Sequence, residues 1–498
     1  MLEIIGNAIK SIGSELQFAA FSQSILLSVA AIIIVASFLA LISKELKQQL
    51  ILAYIVAGIL LGPLVFGIIK EDAIIKNFAE IGIAFLLFTA GLEMNFKKIK
   101  ETFGVSLLAG IAQIVMVALI TFIILSCLSF GKTESLILGV AVAFSSTIVV
   151  TKILAEKDEL NTLHGRFIIG IMLVQDIFAI FVLAILTEKI SLFFVLNSFL
   201  RLIFIVIMAL LLNYVAISFL KKASKNVELL FIISLAILFF FIILANLLEL
   251  SIAIAAFVAG VSLANTPYKL EIETRTRALR DFFSVIFFVS VGLLLKSFSK
   301  DILVPTFALL IILIIIEPLV TAFLLRLKGY KEKTSIQIGL AFAQLSEFTL
   351  ILTLTALGLG LVTQRAFDVI VLTTIISIAF TPYVMGLTNF FSSSIGRFLY
   401  YIKTKEKEKI EYIEPTKKTV LLVGCHRIGS VYLKNLEKYK NKILVVDFNP
   451  EIIEALMKQR ISCIYGDITN KDLLQKIPYR DLRAILSTVP KKESNLLI

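Results

Sequence analysis

The sequence predicts an all-α polytopic membrane bundle of about thirteen transmembrane helices, two of them discontinuous and related as inverted repeats, followed by an α/β Rossmann-like domain. Composition is the first reason: 59% of the 498 residues are hydrophobic, Phe alone contributes 40, and the mean hydropathy is +0.98. Apolar surface on this scale has no place in a water-soluble core and suits many membrane spans. Spacing is the second, because apolar runs of about twenty residues recur between short charged loops. The third is an abrupt change after residue 403, where a charged stretch gives way to alternating strand and helix patterns.

The candidate spans lie near 24–43, 51–69, 78–95, 104–126, 135–154, 167–186, 192–219, 228–248, 250–264, 282–296, 303–325, 335–358 and 366–391. Residues 1–23 form an N-terminal tail, 24–392 the membrane domain, 393–418 a charged linker and 419–498 a partial Rossmann-like lobe. Glu3, Lys10 and Glu15 interrupt the first 22 residues, so they lack a cleavable signal and the first span acts as its own insertion signal. Loops after odd-numbered spans carry eighteen Lys and Arg, against seven after even-numbered ones. The positive-inside rule then places the odd loops and the C-terminal lobe in the cytoplasm of a cell-membrane protein. It also assigns the net charge of +12 to topology and anionic lipid, not to nucleic acid. Trp is absent, so the interfacial belt rests on 12 Tyr and on charged flanks. The three cysteines, Cys127, Cys425 and Cys463, have no metal-binding spacing.

Asp176 is the tenth residue of the sixth apolar run, Phe167 to Leu186, whose only other strongly polar member is Gln175. A charge at the bilayer centre costs about 2.5–3.5 kcal/mol on insertion scales. Such a carboxylate is tolerated where it faces a water-filled cavity or a partner, or carries a proton, and this describes an ion or proton site. The alternative is a helix-packing hydrogen bond.

The fifth span is interrupted by Ser145, Ser146 and Thr147. Three consecutive hydroxyls point to different sides of a helix, so they suit an unwound stretch able to coordinate a cation. The other reading is back-bonding within an intact helix. The twelfth span is interrupted in the same way by Gln344, Ser346 and Glu347. Ser145 precedes Asp176 by 31 residues, and Ser346 precedes Ser377 by 31, in spans of opposite orientation. Inverted halves, each with a broken helix followed by a polar one, form the general plan of a secondary transporter.

In the tail, Thr419 to Leu436 reads as strand, Gly-containing turn and helix, and Lys442 to Asn449 as a second strand ending at Asp447. Ile461 to Tyr465 and Ala484 to Ser487 read as further strands. Gly424 and Gly429 fit the first and last glycines of a dinucleotide fingerprint, and Asp447 its ribose-binding acid. His426 stands in place of the middle glycine, and with Arg427 and Asp467 it completes the candidate site for NAD(H) or an adenine nucleotide. A purely structural lobe is the other reading. No filter-like TVGYG segment argues for a nucleotide-gated cation channel, and no catalytic constellation argues for an enzyme.

The segments ILLGP (59–63), LLFTAGLEM (86–94), AFSSTIVV (143–150), Gln175-Asp176, FFVSVGLLL (287–295) and AQLSEFTLIL (343–352) together resemble the Kef-type monovalent cation:proton antiporters. The resemblance covers about 25–392 in order, and the tail resembles the nucleotide-binding regulatory domain of Kef-type potassium transporters. It implies a homodimer that exchanges K+ or Na+ for H+ by elevator-like alternating access, with no cofactor required for transport. It implies that Asp176 exchanges ion and proton, that Ser145, Ser146 and Thr147 form a crossing unwound helix, and that Gln344, Ser346 and Glu347 form its partner. Gln175 stands where electrogenic sodium/proton members carry a second acid, and the Gln-Asp pair favours potassium. Glu317 departs from the pattern, since many members carry a basic residue there. An acid at that position would share protons or a cation with Asp176, or would reach a basic group toward a helix end.

Overall fold

The computed structural model describes residues 25–46, 48–69, 73–93, 103–156, 162–186, 226–248, 250–264, 266–388, 411–412, 418–425, 427–466 and 479–489, with isolated positions besides. The expected seventh span, 192–219, falls largely outside the described residues. Of the remaining spans, each carries a helix within its apolar run, although the second stops at Leu61, where Gly62 and Pro63 turn the chain, and not at 69. The described helices begin with Ile25–Glu45 (α1), Leu50–Leu61 (α2), Ala73–Glu93 (α3), Phe103–Cys127 (α4), Lys132–Val142 (α5), Thr147–Glu156 (α6) and Leu163–Leu186 (α7). They continue with Val227–Leu247 (α8), Ile252–Ala264 (α9), Lys269–Leu293 (α10), Lys300–Ile311 (α11), Glu317–Leu327 (α12), Glu332–Leu340 (α13), Glu347–Gly358 (α14) and Gln364–Gly386 (α15). Seven stretches among the described residues are long and apolar enough to cross a membrane unaided, so this is a multi-pass membrane protein.

The tenth span is longer than its apolar run. α10 begins at Lys269, and its first half pairs Arg275 with Glu271 and Arg277 with Glu273, one helical turn apart. Such pairs support helix outside the hydrocarbon region, where an apolar-run criterion is blind.

Polarity is reversed relative to a soluble protein. Leu26, Phe38, Leu108, Leu119 and Ile243 are more than half exposed, while Gln113, Gln175, Glu317, Gln344 and Thr374 are fully buried. Lipid offers the outward apolar side chains a suitable solvent, and the polar groups find their partners inside the bundle. Small residues let the backbones approach. A Cβ built on Gly91 of α3 would lie 2.3 Å from Phe257 O, and one on Gly260 of α9 would lie 2.0 Å from Phe88 O. Only glycine at both positions permits this crossing.

Two helices are broken as the hydroxyl clusters predict. α5 stops at Val142 and α6 resumes at Thr147; α13 stops at Leu340 and α14 resumes at Glu347. Serine restarts both: Ser146 Oγ accepts from Val149 N, and Ser346 Oγ accepts from Phe348 N at 3.1 Å. Each satisfies a backbone donor that the preceding turn cannot reach.

The chain divides into two compact units, 1–149 with 170–321 and 339–388, and 150–169 with 322–338 and 389–498. The second contains the sheet. Its strands are Glu411–Tyr412 (β1), Val420–Val423 (β2), Ile443–Asp447 (β3), Cys463–Tyr465 (β4) and Ala484–Ser487 (β5), in the order β1-β4-β3-β2-β5. β2 runs parallel to β3 and β5, β3 parallel to β4, and β1 antiparallel to β4. Arg427–Asn435 (α16) follows β2, and Pro450–Lys458 (α17) follows β3. β3 is buried along its whole length, as a parallel strand covered on both faces should be. All four strands expected from the sequence are present. β1 lies within the charged stretch expected to be a linker, because Glu411 and Tyr412 complete the edge of the sheet against Ile464 and Cys463.

Candidate functional site: crossed helix breaks and a buried aspartate

The two breaks hydrogen-bond to each other. Ser346 N donates to Phe144 O at 2.9 Å, Gln344 Nε2 to Ser146 O at 3.5 Å, and Ser145 Oγ to Phe342 O at 3.2 Å. Thr349, one turn into α14, donates to Ala141 O at 2.6 Å. Backbone groups freed by unwinding are thus satisfied by the opposite break, which is how irregular backbone survives at membrane depth. The polar patch of α15 braces the second break: Ser377 Oγ accepts from Leu345 N, and Thr381 Oγ1 donates to Gln344 Oε1 at 3.1 Å.

The three consecutive hydroxyls reach three different carboxylates. Ser145 Oγ donates to Glu317 Oε1 at 3.2 Å, Ser146 Oγ to Glu347 Oε2 at 2.8 Å, and Thr147 Oγ1 to Asp176 Oδ2 at 3.0 Å. Their divergence around the unwound turn is what permits this, so the cluster engages α12, α14 and α7 at once. Asp176 is 9% exposed, while Gln175 beside it is 0% exposed. Gln175 Oε1 accepts from Ser145 N at 3.1 Å, and its Nε2 donates to Gln113 Oε1 at 2.9 Å. Both ends of that amide are therefore used by the protein.

Among the described residues, Glu317 pairs with no base. Its Oε1 accepts from Gln113 Nε2 at 2.7 Å as well as from Ser145, while Oε2 accepts no hydrogen bond among the described residues. A π-helical turn, Ile312–Ile316, delivers it, and Glu317 N donates to Ile312 O, five residues back. Pro318 accounts for the irregularity, since proline supplies no N–H and its ring crowds the carbonyl four residues earlier. Such π turns are frequent at functional sites. Gly339 lets α13 pass this point, because a Cβ there would lie 2.3 Å from Pro318 O.

The structure therefore brings Ser145, Ser146, Thr147, Gln175, Asp176, Glu317, Gln344, Ser346 and Glu347 into one connected polar network. Gln113 of α4 is among the members that the sequence reading missed. A polar amide inside an apolar run, the feature that marks Gln175, was the available signal.

The candidate nucleotide site lies at the C-terminal ends of the parallel strands. Gly424 has φ +81°, and a Cβ there would meet Thr488 Oγ1 at 2.6 Å. A Cβ on Gly429 would lie 2.0 Å from Gly424 O, so the start of α16 packs on the turn more closely than any side chain allows. Asp447 closes the turn: its Oδ2 accepts from Cys425 N at 2.6 Å and its Oδ1 from Asn449 N at 2.7 Å. Arg427 opens α16, whereas His426 and Asp467 lie outside the described residues. Burial, with Asp447 nearby, pushes the Cys425 thiol up to about 11.

This sheet also touches the first turn of α7. Arg166 Nη2 donates to Asn449 Oδ1 at 2.9 Å, and Leu163 N donates to the Tyr465 hydroxyl at 3.1 Å. Phe167 meets Tyr330 edge-on at 4.7 Å.

Comparison with known proteins bears on the fold and on the succession of domains. Residues 31–386 match the family model described as sodium/hydrogen exchanger, transmembrane, and residues 420–498 match the TrkA-N domain. YbaL of Escherichia coli, named as a candidate cation/proton antiporter, is 23% identical over 92% of this chain and 85% of its own length. K(+) efflux antiporters 6 and 4 of Arabidopsis thaliana are 28% and 27% identical over 68% of this chain. The chain spans 59% and 60% of those two plant proteins. Among solved structures, the sodium proton antiporter MjNhaP1 of Methanocaldococcus jannaschii shares the fold, with TM-score 0.53, 16% identity, and coverage of 75% of this chain and 97% of that one. The Kef-type resemblance agrees with this combination of domains. The chain belongs to the sodium/hydrogen exchanger family and carries a TrkA-N domain after its membrane region.

Proposed function

We propose that the protein exchanges a monovalent cation, potassium, for protons across the cell membrane, with Asp176 as the exchanging group. The observation that carries this is the Thr147–Asp176 contact, which sets the one carboxylate of α7 against an unwound turn whose backbone and hydroxyls are oxygen ligands. Asp176 takes either a cation or a proton, and each neutralises it. The neutralised site crosses the hydrophobic barrier readily, and the bare carboxylate does so reluctantly. Competition for one carboxylate couples the two fluxes, and alternating access of a homodimer, embedded in membrane lipid, carries the site between the two faces. The crossed breaks hold the site together as a unit during that movement.

The names of the two plant relatives and the Gln175-Asp176 pair support potassium. The family description and the MjNhaP1 fold support sodium as the second reading. Proteoliposomes loaded with a pH dye and challenged with each cation in turn decide between them: proton release on potassium addition, exceeding that with sodium, is expected. A larger response to sodium would replace the substrate.

The TrkA-N lobe serves regulation in this reading, on the cytoplasmic side. Gly424, Gly429, Arg427 and Asp447 would hold NAD(H) or an adenine nucleotide, which supplies a signal and no chemistry of transport. Support comes from the succession Cys425 N–Asp447–Asn449–Arg166, which runs from the phosphate turn to the helix bearing Asp176. Exchange measured with NAD(H) or AMP on the lobe side tests it. An identical rate with and without nucleotide would remove the regulatory role.

A further inference from the structure

Four buried residues from four segments close a hydrogen-bonded ring. Ser145 N donates to Gln175 Oε1 at 3.1 Å, and Gln175 Nε2 donates to Gln113 Oε1 at 2.9 Å. Gln113 Nε2 donates to Glu317 Oε1 at 2.7 Å, and Ser145 Oγ shares its one proton between the same oxygen and Phe342 O, each at 3.2 Å. Gln113, Gln175 and Glu317 are 0% exposed and Ser145 1%. Direction is built into the ring. Turning the Gln113 amide over would set its carbonyl oxygen against Glu317 Oε1 and Ala143 O and its NH2 against that of Gln175, losing three hydrogen bonds among buried groups. The second Gln113 proton goes to Ala143 O at 3.3 Å, the backbone just before the break.

We propose that Gln113 is a positioning residue for exchange: through Gln175 and Glu317 it fixes the unwound turn, so that Thr147 and Asp176 meet the cation in one geometry. The assignment rests on Asp176 being the exchange site. Asp176 is the next residue after Gln175, and its partner Thr147 lies two residues after Ser145. Both therefore inherit their placement from ring members. Gln175 Oε1 accepts from Ser145 N, so Gln175 holds the unwound turn in register with α7. Glu317 supplies the acceptor that anchors Gln113, which accounts for an acid at a position where the family often has a base.

The test uses the full chain in proteoliposomes, following proton release over a series of potassium concentrations. The variants are Gln113→Ala, Gln113→Met, the pair Gln113→Glu with Glu317→Gln, and Asp176→Asn as the control. The paired exchange rebuilds the four-residue ring and gives up only the bond to Ala143 O. Its amide at position 317 donates to the carboxylate at 113 and to Ser145 Oγ, whose own proton goes to Phe342 O. The carboxylate still accepts from Gln175 Nε2. Gln113→Ala and Gln113→Met are expected to raise the apparent KM about tenfold, the scale of one buried hydrogen bond, with maximal rate much less affected. The paired variant is expected to return KM to within about threefold of wild type. Methionine keeps the length and packing of glutamine, so an unshifted thermal melt with the raised KM separates positioning from folding. A wild-type KM in both single variants, or a defect that the paired variant leaves unrepaired, would overturn the assignment. Wild-type vesicles that take up cation without moving protons would overturn the exchange reading itself, and this assignment with it.

Discussion

Ser146 Oγ donates to Glu347 Oε2 at 2.8 Å, which fastens the break of one repeat to the first residue beyond the break of the other. The reciprocal bond, Ser346 N to Phe144 O at 2.9 Å, runs the opposite way. The two interruptions therefore stabilise each other, and neither unwound turn can relax back into helix without stranding its partner.

Removing the Glu347 acceptor should weaken the whole crossing. Glu347→Ala is expected to cost about 1–3 kcal/mol, the desolvation cost of stranded buried donors, while Glu347→Gln retains an acceptor and costs less. The chain has no Trp, so a thermal aggregation assay on purified protein is the suitable reading. Equal melting of the two variants would show that the bond does not brace the breaks.

The close crossing of α3 and α9 gives a sharper test of packing. Gly260→Val sets a branched side chain where a Cβ would already lie 2.0 Å from Phe88 O. The helices must separate, and overpacking of this kind costs about 1–3 kcal/mol or more. Loss of a monodisperse peak on size-exclusion chromatography is expected. A wild-type elution profile and melt would contradict the crossing.

Cys425 should be chemically silent. With its thiol pushed up to about 11, the reactive thiolate is scarce at pH 8. In a background with Cys127 and Cys463 replaced by Ser, maleimide labelling of the folded tail should be slow at pH 8 and quicken toward pH 11. The same shift bears on stability, because the folded lobe holds a proton that the unfolded chain releases above about pH 8.5. Stability should consequently fall as pH rises between the two values. Rapid labelling of Cys425 at pH 8 under native conditions would contradict the buried placement.

Within the second unit, the contact between Arg166 and Asn449 joins the lobe to the first turn of α7. Asn449→Ala removes one acceptor for Arg166 while leaving Asp447 and both fingerprint glycines in place. Nucleotide binding should persist in calorimetry, and the effect of nucleotide on exchange should shrink several-fold. Full regulation in this variant would place the coupling elsewhere.

Much of this architecture was legible in the sequence. Apolar run length located the spans because lipid imposes a fixed thickness, and three adjacent hydroxyls located the first break because no intact helix can turn them to one neighbour. The lobe was legible from Gly424, Gly429 and Asp447, whose roles follow from backbone geometry. What the sequence did not carry was partner choice. That Ser145 selects Glu317, Ser146 selects Glu347 and Thr147 selects Asp176 is decided by how α12, α14 and α7 pack, which no local pattern records. Gln113 escaped notice because a single amide in a span is equally compatible with ordinary helix packing. The first half of α10 escaped because its support comes from ion pairs and not from apolar residues. β1 was invisible because two residues cannot display an alternating pattern.

The central claim is that one carboxylate, Asp176, exchanges cation for proton. Proton release from dye-loaded proteoliposomes, driven by an inward potassium gradient, should be present in wild type and absent in Asp176→Asn, with both proteins equally folded by thermal melt. Cation-driven proton release that persists in Asp176→Asn would contradict the account.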